Sequence, residues 1–309
     1  MPGAFAHIAA VARAGENSAL KQSQMPKHAK LVLSRNTKFI ELGCVSPDYP
    51  YLNILSPDQA QWADCMHYDR AGDLIKCFIN KVKEMSDDAE KEKSFTWLCG
   101  YVGHVIADIT IHPVVELRVG PYDQNKGAHR KCEMHQDAFI WPKVLNLGNV
   151  GYADRVRKNI GDCCDPNDSS KIDGAIERLW RAGLSDVHSN LFSKCDPSVN
   201  GWHKGFVQLV DIAEEGHKLF PLARHVAADL GLTYPPRDQI DDSYIRNLET
   251  PNGRLDYEQI FDRAVRNIRF YWDVVSKAIF ESGPTDAFLN WNLDTGKDPS
   301  GKYTAWSRL

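Results

Sequence analysis

Apolar residues recur at three- and four-residue steps in two long segments of the chain. Leu74, Ile75, Phe78, Ile79 and Val82 fall on one helix face, and no Gly or Pro interrupts the segment after Gly72. The rhythm returns in Ile260, Phe261, Ala264, Val265, Ile268, Trp272, Val275 and Ile279, with Asp256 placed as an N-cap and Gly283 as a stop. Similar patterns predict helices over 28–41, 93–112, 130–141, 171–182 and 203–230, the last bent where Pro221 removes a backbone donor. No alternating strand pattern competes with them. Clusters of Gly, Pro, Asp and Asn at 43–58, 118–128, 161–170 and 233–254 read as loops. From Gly283 the chain mixes Asn, Asp, Gly and Trp without periodicity, which predicts a strap, 283–309, over a helical body. Neither an internal repeat nor a flexible linker interrupts the pattern, so the expectation is an all-α fold in a single domain over 1–309.

Composition fits that picture and narrows the chemistry. Of 309 residues, 43% are hydrophobic and 25% charged, the balance of a globular chain rather than a disordered one. Lys and Arg number 37 against 41 Asp and Glu, a net charge of −4, so no global positive field can hold a phosphate backbone. An anionic substrate must be caught locally. Apolar runs such as 102–107 fall well short of the roughly 20 residues a bilayer-spanning helix needs, and no transmembrane segment is expected. The first twenty residues lack a basic leading region and a cleavage site, so no signal peptide is read and a cytoplasmic location is expected. Eight cysteines show no C-x-x-C spacing, consistent with reduced thiols.

Within FTWLCGYVGHVIADITIHPVVE, His104, Asp108 and His112 stand four residues apart, which puts three metal-type ligands on one helix face. The two oxygens of Asp108 can bridge two cations while an imidazole on either side holds one. Pro113 disfavours helical geometry at His112 and should loosen that ligand. His129 and Glu133, in GAHRKCEMHQD, repeat the spacing on another helix. A single His-to-carboxylate pair on a helix is often only a surface hydrogen bond. Two pairs with His112 between them, among apolar Val105, Ile106 and Ile109, imply buried charges that need partners or metals.

Upstream lie His7 in PGAFAHI, Asp48 in GCVSPDYPYL and His67 in WADCMHYDR, none distinctive alone. The order of the whole set resembles that of the zinc-dependent phospholipases C, with the related single-strand zinc nucleases and the catalytic domain of glycosylphosphatidylinositol-specific phospholipase D. The resemblance covers about residues 2–145 and implies an all-helical fold holding three zinc ions. It assigns Asp48, His67, His104 and Asp108 to a first zinc, His112, His129 and Glu133 to a second, and His7 with Asp108 to a third. The family's third zinc also takes the mature amino terminus, which here would be Pro2 once Met1 is removed.

The activity so implied is hydrolysis of a phosphodiester by a zinc-activated water that Asp48 orients or deprotonates. Three tetrahedral zincs need about twelve ligand positions and the eight side chains supply about nine, leaving room for water. Three zincs bring about +6 against −3 from Asp48, Asp108 and Glu133, and the remaining charge of about +3 suits a phosphate. The membrane-binding β-sandwich of toxin-type phospholipases has no counterpart after residue 240, so a soluble phosphoester stands beside a phospholipid as substrate. Tyr49, Tyr51, Tyr68 and Phe5 neighbour the ligands and either line a pocket or pack in the core. Two rivals remain: a zinc nuclease, which the net charge disfavours, and a non-catalytic helical protein braced by metal. His188, His203, His217 and His225 are expected to make ordinary hydrogen bonds or face solvent, and Cys163 and Cys164 to lie in a loop.

Overall fold

A computed structural model describes residues 3–53, 56–145, 154–216 and 234–307. The first half forms α1 (Ala4–Ala14), α2 (Asn17–Gln22), α3 (Lys27–Arg35), α4 (Thr37–Val45), α5 (Ala60–Tyr68), α6 (Ala71–Glu84), α7 (Asp88–Val119) and α8 (Lys126–Leu145). The second half forms α9 (Asp154–Gly161), α10 (Gly174–Val187), α11 (Ser189–Phe192), α12 (Val199–Gly216), α13 (Tyr257–Phe280) and α14 (Thr304–Ser307). Among the described residues, named strands form two short antiparallel pairs, β1 (Cys164–Asp165) with β2 (Asp168–Ile172) and β3 (Leu248–Thr250) with β4 (Gly253–Leu255). The fold is all-α. The pattern at 28–41 splits at Asn36 into α3 and α4. That at 171–182 starts late, because Asp173 accepts from the Ala175 amide and caps α10 after β2 has ended. Pro221, His217 and His225 lie outside the described residues.

The axis of the molecule is α7. Every residue from Ser94 to Val115 is buried, as expected of a helix apolar on all sides. Length and composition alone would let α7 cross a membrane, but its apolar stretch is wholly enclosed by other elements, which makes it a core helix. It also corrects the expectation at Pro113, since the helix runs unbroken through His112 and on to Val119. Pro113 has no N–H for the Ile109 carbonyl, so the helix keeps its course with one of its own bonds missing.

Around α7 the packing is close enough to bring main chain to main chain. A Cβ on Gly43 of α4 would lie 2.0 Å from the Trp97 carbonyl oxygen, and one on Gly100 of α7 2.1 Å from that of Ile40. Only glycine at both positions permits this crossing, which sets the end of α4 and the 3-10 turn Ser46–Leu52 against the middle of α7. On another side Trp272 of α13 donates its indole N–H to the Cys99 carbonyl at 2.7 Å. At the start of α1, Gly3 offers no side-chain cap. Asp137 of α8 takes that role, accepting from the Ala6 amide at 2.8 Å and from the Tyr234 hydroxyl at 3.2 Å. The described part of the tail lies against the helices: Trp306 donates to the Thr110 carbonyl and Asn267 to that of Ala305, both at 3.0 Å. Among the described residues, most buried apolar side chains, all eight tryptophans among them, form one cluster, and the eight cysteines are unbridged.

Candidate metal centre

His7 comes from α1, Asp48 from the turn Ser46–Leu52, His67 from the last turn of α5, His104, Asp108 and His112 from α7, and His129 and Glu133 from α8. All eight are buried, none more than 5% exposed. Pro2 lies outside the described residues.

Asp108 is the hub. Its Oδ1 lies 3.3 Å from His7 Nε2 and 3.8 Å from His112 Nε2, while its Oδ2 lies 3.1 Å from His104 Nε2 and 3.9 Å from His67 Nε2. Asp48 Oδ1 is 3.3 Å from His67 Nε2, and the Nε2 atoms of His67 and His104 face each other across 3.4 Å. The rings of His7 and His104 stack at 4.0 Å. Two sets of donor atoms therefore lie within 4.8 Å of one another, His7 with His104 and Asp108, and Asp48 with His67 and His104.

Hydrogen bonds to main-chain carbonyls fix which ring nitrogen carries the proton. A carbonyl only accepts, so Nδ1 of His104 donates to Cys44, Nδ1 of His67 to Ala63 and Nδ1 of His112 to Leu293, at 2.8, 2.7 and 2.5 Å. His129 is turned the other way and donates from Nε2 to Gly120 at 2.6 Å. In each neutral imidazole the other nitrogen is left as a lone pair. Metal-ligating histidines are held in this way, with the far nitrogen bonded to an outer acceptor. Several of the inward atoms, both oxygens of Asp108, Asp48 Oδ1, His112 Nε2, His129 Nδ1 and both nitrogens of His7, make no hydrogen bond although buried. Such a set of unbonded donors is costly unless a cation gathers it.

The charge states agree. Burial alone would raise the Asp108 carboxyl, but the imidazoles of His104 and His112 hold it well below the usual range. Asp48 is likewise held low, against its burial, by His104 and His67. Burial lowers His7 to about 4 and His112 to about 3, which keeps both neutral and able to coordinate. Burial raises Glu133.

The residues are not assembled equally. Among the described residues, His112, His129 and Glu133 do not form a third set of donor atoms within 4.8 Å. Of the aromatic neighbours, Tyr49 and Phe5 are core, Tyr49 stacked on Phe206 and Phe5 edge-on to Trp141. Tyr51 and Tyr68 are half-buried, bonded to Asp64 and Asp294. His188 pairs with Asp69 at 3.5 Å and His203 sits 3.4 Å from the Tyr49 hydroxyl, the ordinary contacts expected of them. Asp137 was missed by sequence reasoning although it stands one more four-residue step beyond Glu133. Leu293 was missed because a carbonyl carries no side-chain signal.

A family model described as zinc dependent phospholipase C matches residues 6–190, more than half of the chain. The chain belongs to that family. No curated protein and no solved structure matches. As a member of the zinc-dependent phospholipase C family, the protein is a hydrolase of the phosphodiesterase type, and the nitrogen and carboxylate donors gathered around Asp108 suit zinc. All eight candidate side-chain donors fall inside the matched residues, whereas α13 and the tail after it fall outside them.

Proposed function

We propose that the protein is a trinuclear zinc phosphodiesterase of phospholipase C type. The observation that carries this reading is the single carboxylate of Asp108, whose two oxygens lie between four imidazole nitrogens. Asp48, His67, His104 and Asp108 would hold one zinc, His7 with Asp108 and the amino-terminal Pro2 another, and His112, His129 and Glu133 a third. Zinc so held would supply Lewis acidity, lowering the pKa of a water to near 7 and offsetting phosphate charge.

The chain's own groups divide the remaining work. Asp48 is ionised at neutral pH, and its Oδ1 carries no hydrogen bond, so it can take the proton of an attacking water or aim its lone pair at phosphorus. The main-chain acceptors at Cys44, Ala63, Leu293 and Gly120 keep the rings from turning, which holds the site ready for the transition state. Burial excludes bulk water from the donors, which would strengthen the pull of the zinc they hold on a phosphate.

Elemental analysis of untagged protein dialysed against chelator-free buffer should give about three zinc per chain. Phosphatidylcholine in mixed micelles should release phosphorylcholine, an activity abolished by a chelator and restored by zinc. Bound zinc with cleavage of single-stranded DNA alone would make the protein a nuclease, and bound zinc with turnover of small soluble esters alone a phosphatase. A metal-free protein that cleaves none of these would overturn the proposal. An uncleaved amino-terminal tag should selectively lose the zinc assigned to Pro2 and His7.

A further inference from the structure

We infer that the C-terminal strap is part of the metal centre: the main chain of Leu293 acts as a positioning group, holding His112 in its coordinating tautomer and tying His67 to it. The inference rests on the zinc reading above, extends it to a segment outside the residues that match the family, and concerns the apo-protein as much as the loaded one.

Leu293 is fully buried and uses both of its main-chain groups on ligand residues. Its N–H donates to the His67 carbonyl at 3.0 Å, one of the carbonyls that α5 leaves unbonded at its end. Its carbonyl accepts from His112 Nδ1, which leaves Nε2 aimed at Asp108 Oδ1. The next residue, Asp294, accepts from the hydroxyl of Tyr68, the neighbour of His67, at 2.8 Å. One dipeptide thus links the ligand of α5 to the last ligand of α7.

The strap can come this close because of Gly296. It has a φ of +68°, and a Cβ there would lie 2.6 Å from the Ile109 carbonyl oxygen and 2.5 Å from Pro113 Cγ. Ile109 is the residue whose carbonyl loses its helical partner at Pro113, so the strap seats against the one turn of α7 where a backbone bond is missing. An Asn292–Lys297 bridge closes the loop, and Trp291 anchors it through the Thr304 hydroxyl at 2.7 Å.

Gly296→Ala tests the contact, with Gly301→Ala as its control. Gly301 also has a positive φ, +79°, but a Cβ there meets nothing within 4 Å, so both variants carry the same backbone strain and only one pushes on α7. Two readouts on the full chain are needed: the tautomer of His112 by long-range nitrogen–proton correlation in metal-free protein, and the Zn²⁺ concentration at which its ring signals shift. In the unaltered chain His112 should carry its proton on Nδ1. Gly296→Ala should mix the two tautomers and weaken Zn²⁺ at His112 by about 10- to 100-fold, the usual effect of losing an outer acceptor. Gly301→Ala should match the unaltered chain. A proton on Nε2 of the unaltered chain would overturn the inference, and this reading stands even if Gly296→Ala fails to fold. So would a Gly296→Ala protein with unchanged tautomer and affinity, or a Gly301→Ala protein with the same defect. Lack of phosphodiesterase activity would leave all of these results in force, so the two readings fail separately.

Discussion

The two halves of the candidate metal centre are built differently. Around His7, Asp48, His67, His104 and one face of Asp108, donor atoms from four elements already stand within coordinating distance of each other. Around His112, His129 and Glu133 they do not. The first half hangs on the crossing of α4 and α7, where facing glycines put main chain against main chain and the Cys44 carbonyl holds His104. The second half joins the far end of α7 to α8, with acceptors drawn from a loop at Gly120 and from the strap at Leu293. Where a close helix crossing sets the donors they stand together, and where loops set them they stand further apart.

The most severe way to break this contrast is to remove the group both halves share. Asp108→Asn leaves buried imidazoles without their counter-charge, and hydrolysis should fall about 10³-fold, near 4 kcal/mol, with zinc lost from both halves. Asp48→Asn touches the first half alone. Hydrolysis should drop by about 10²-fold or more while elemental analysis finds most of the zinc still bound. Full activity in that variant would remove Asp48 from the reaction. Glu133→Gln touches the second half alone. In a Zn²⁺ titration it should weaken only the later binding events, by at least the about 10- to 100-fold seen for outer partners, and leave the first unchanged.

The last effect leaves hydrolysis aside and falls on stability alone: it belongs to Asp137, which caps α1. Burial raises its carboxyl to about 7 from an ordinary value of 3.8. Its contribution to stability is therefore complete below pH 4 and is lost as the pH rises through 7, because only the unfolded chain releases its proton early. Asp137→Asn cannot ionise, so its unfolding free energy relative to the unaltered chain should rise between pH 4 and 8, by about 4 kcal/mol at most, since the carboxyl moves from 3.8 to about 7. Parallel denaturation curves at the two pH values would measure the difference.

Much of this could be read in advance. The helical class followed from periodicity, since α6 and α13 bury the faces that their spacing marked. Four-residue steps marked His104, Asp108, His112, His129 and Glu133 as candidate donors, because residues on one helix face keep helical spacing, whereas His7, Asp48 and His67 stood out only through the family resemblance. Pro113 misled, for a local rule about the residue before proline was outweighed by burial on every side of α7. Two features left no trace: which nitrogen of each imidazole carries the proton, and which carbonyl receives it. Both depend on contacts between residues as far apart as His112 and Leu293, and main-chain acceptors are the same at every position.

The buried tryptophans have a practical consequence. None of the eight is more than 1% exposed, so the folded protein should emit at the blue end of the indole range and redden only as its interior opens to water. Trp141 packs edge-on against Phe5, two positions before His7, with ring centres 4.7 Å apart. The summed emission is a built-in gauge of whether the interior as a whole stays closed, and a chain keeping Trp141 as its only indole would report the seating of α1 alone.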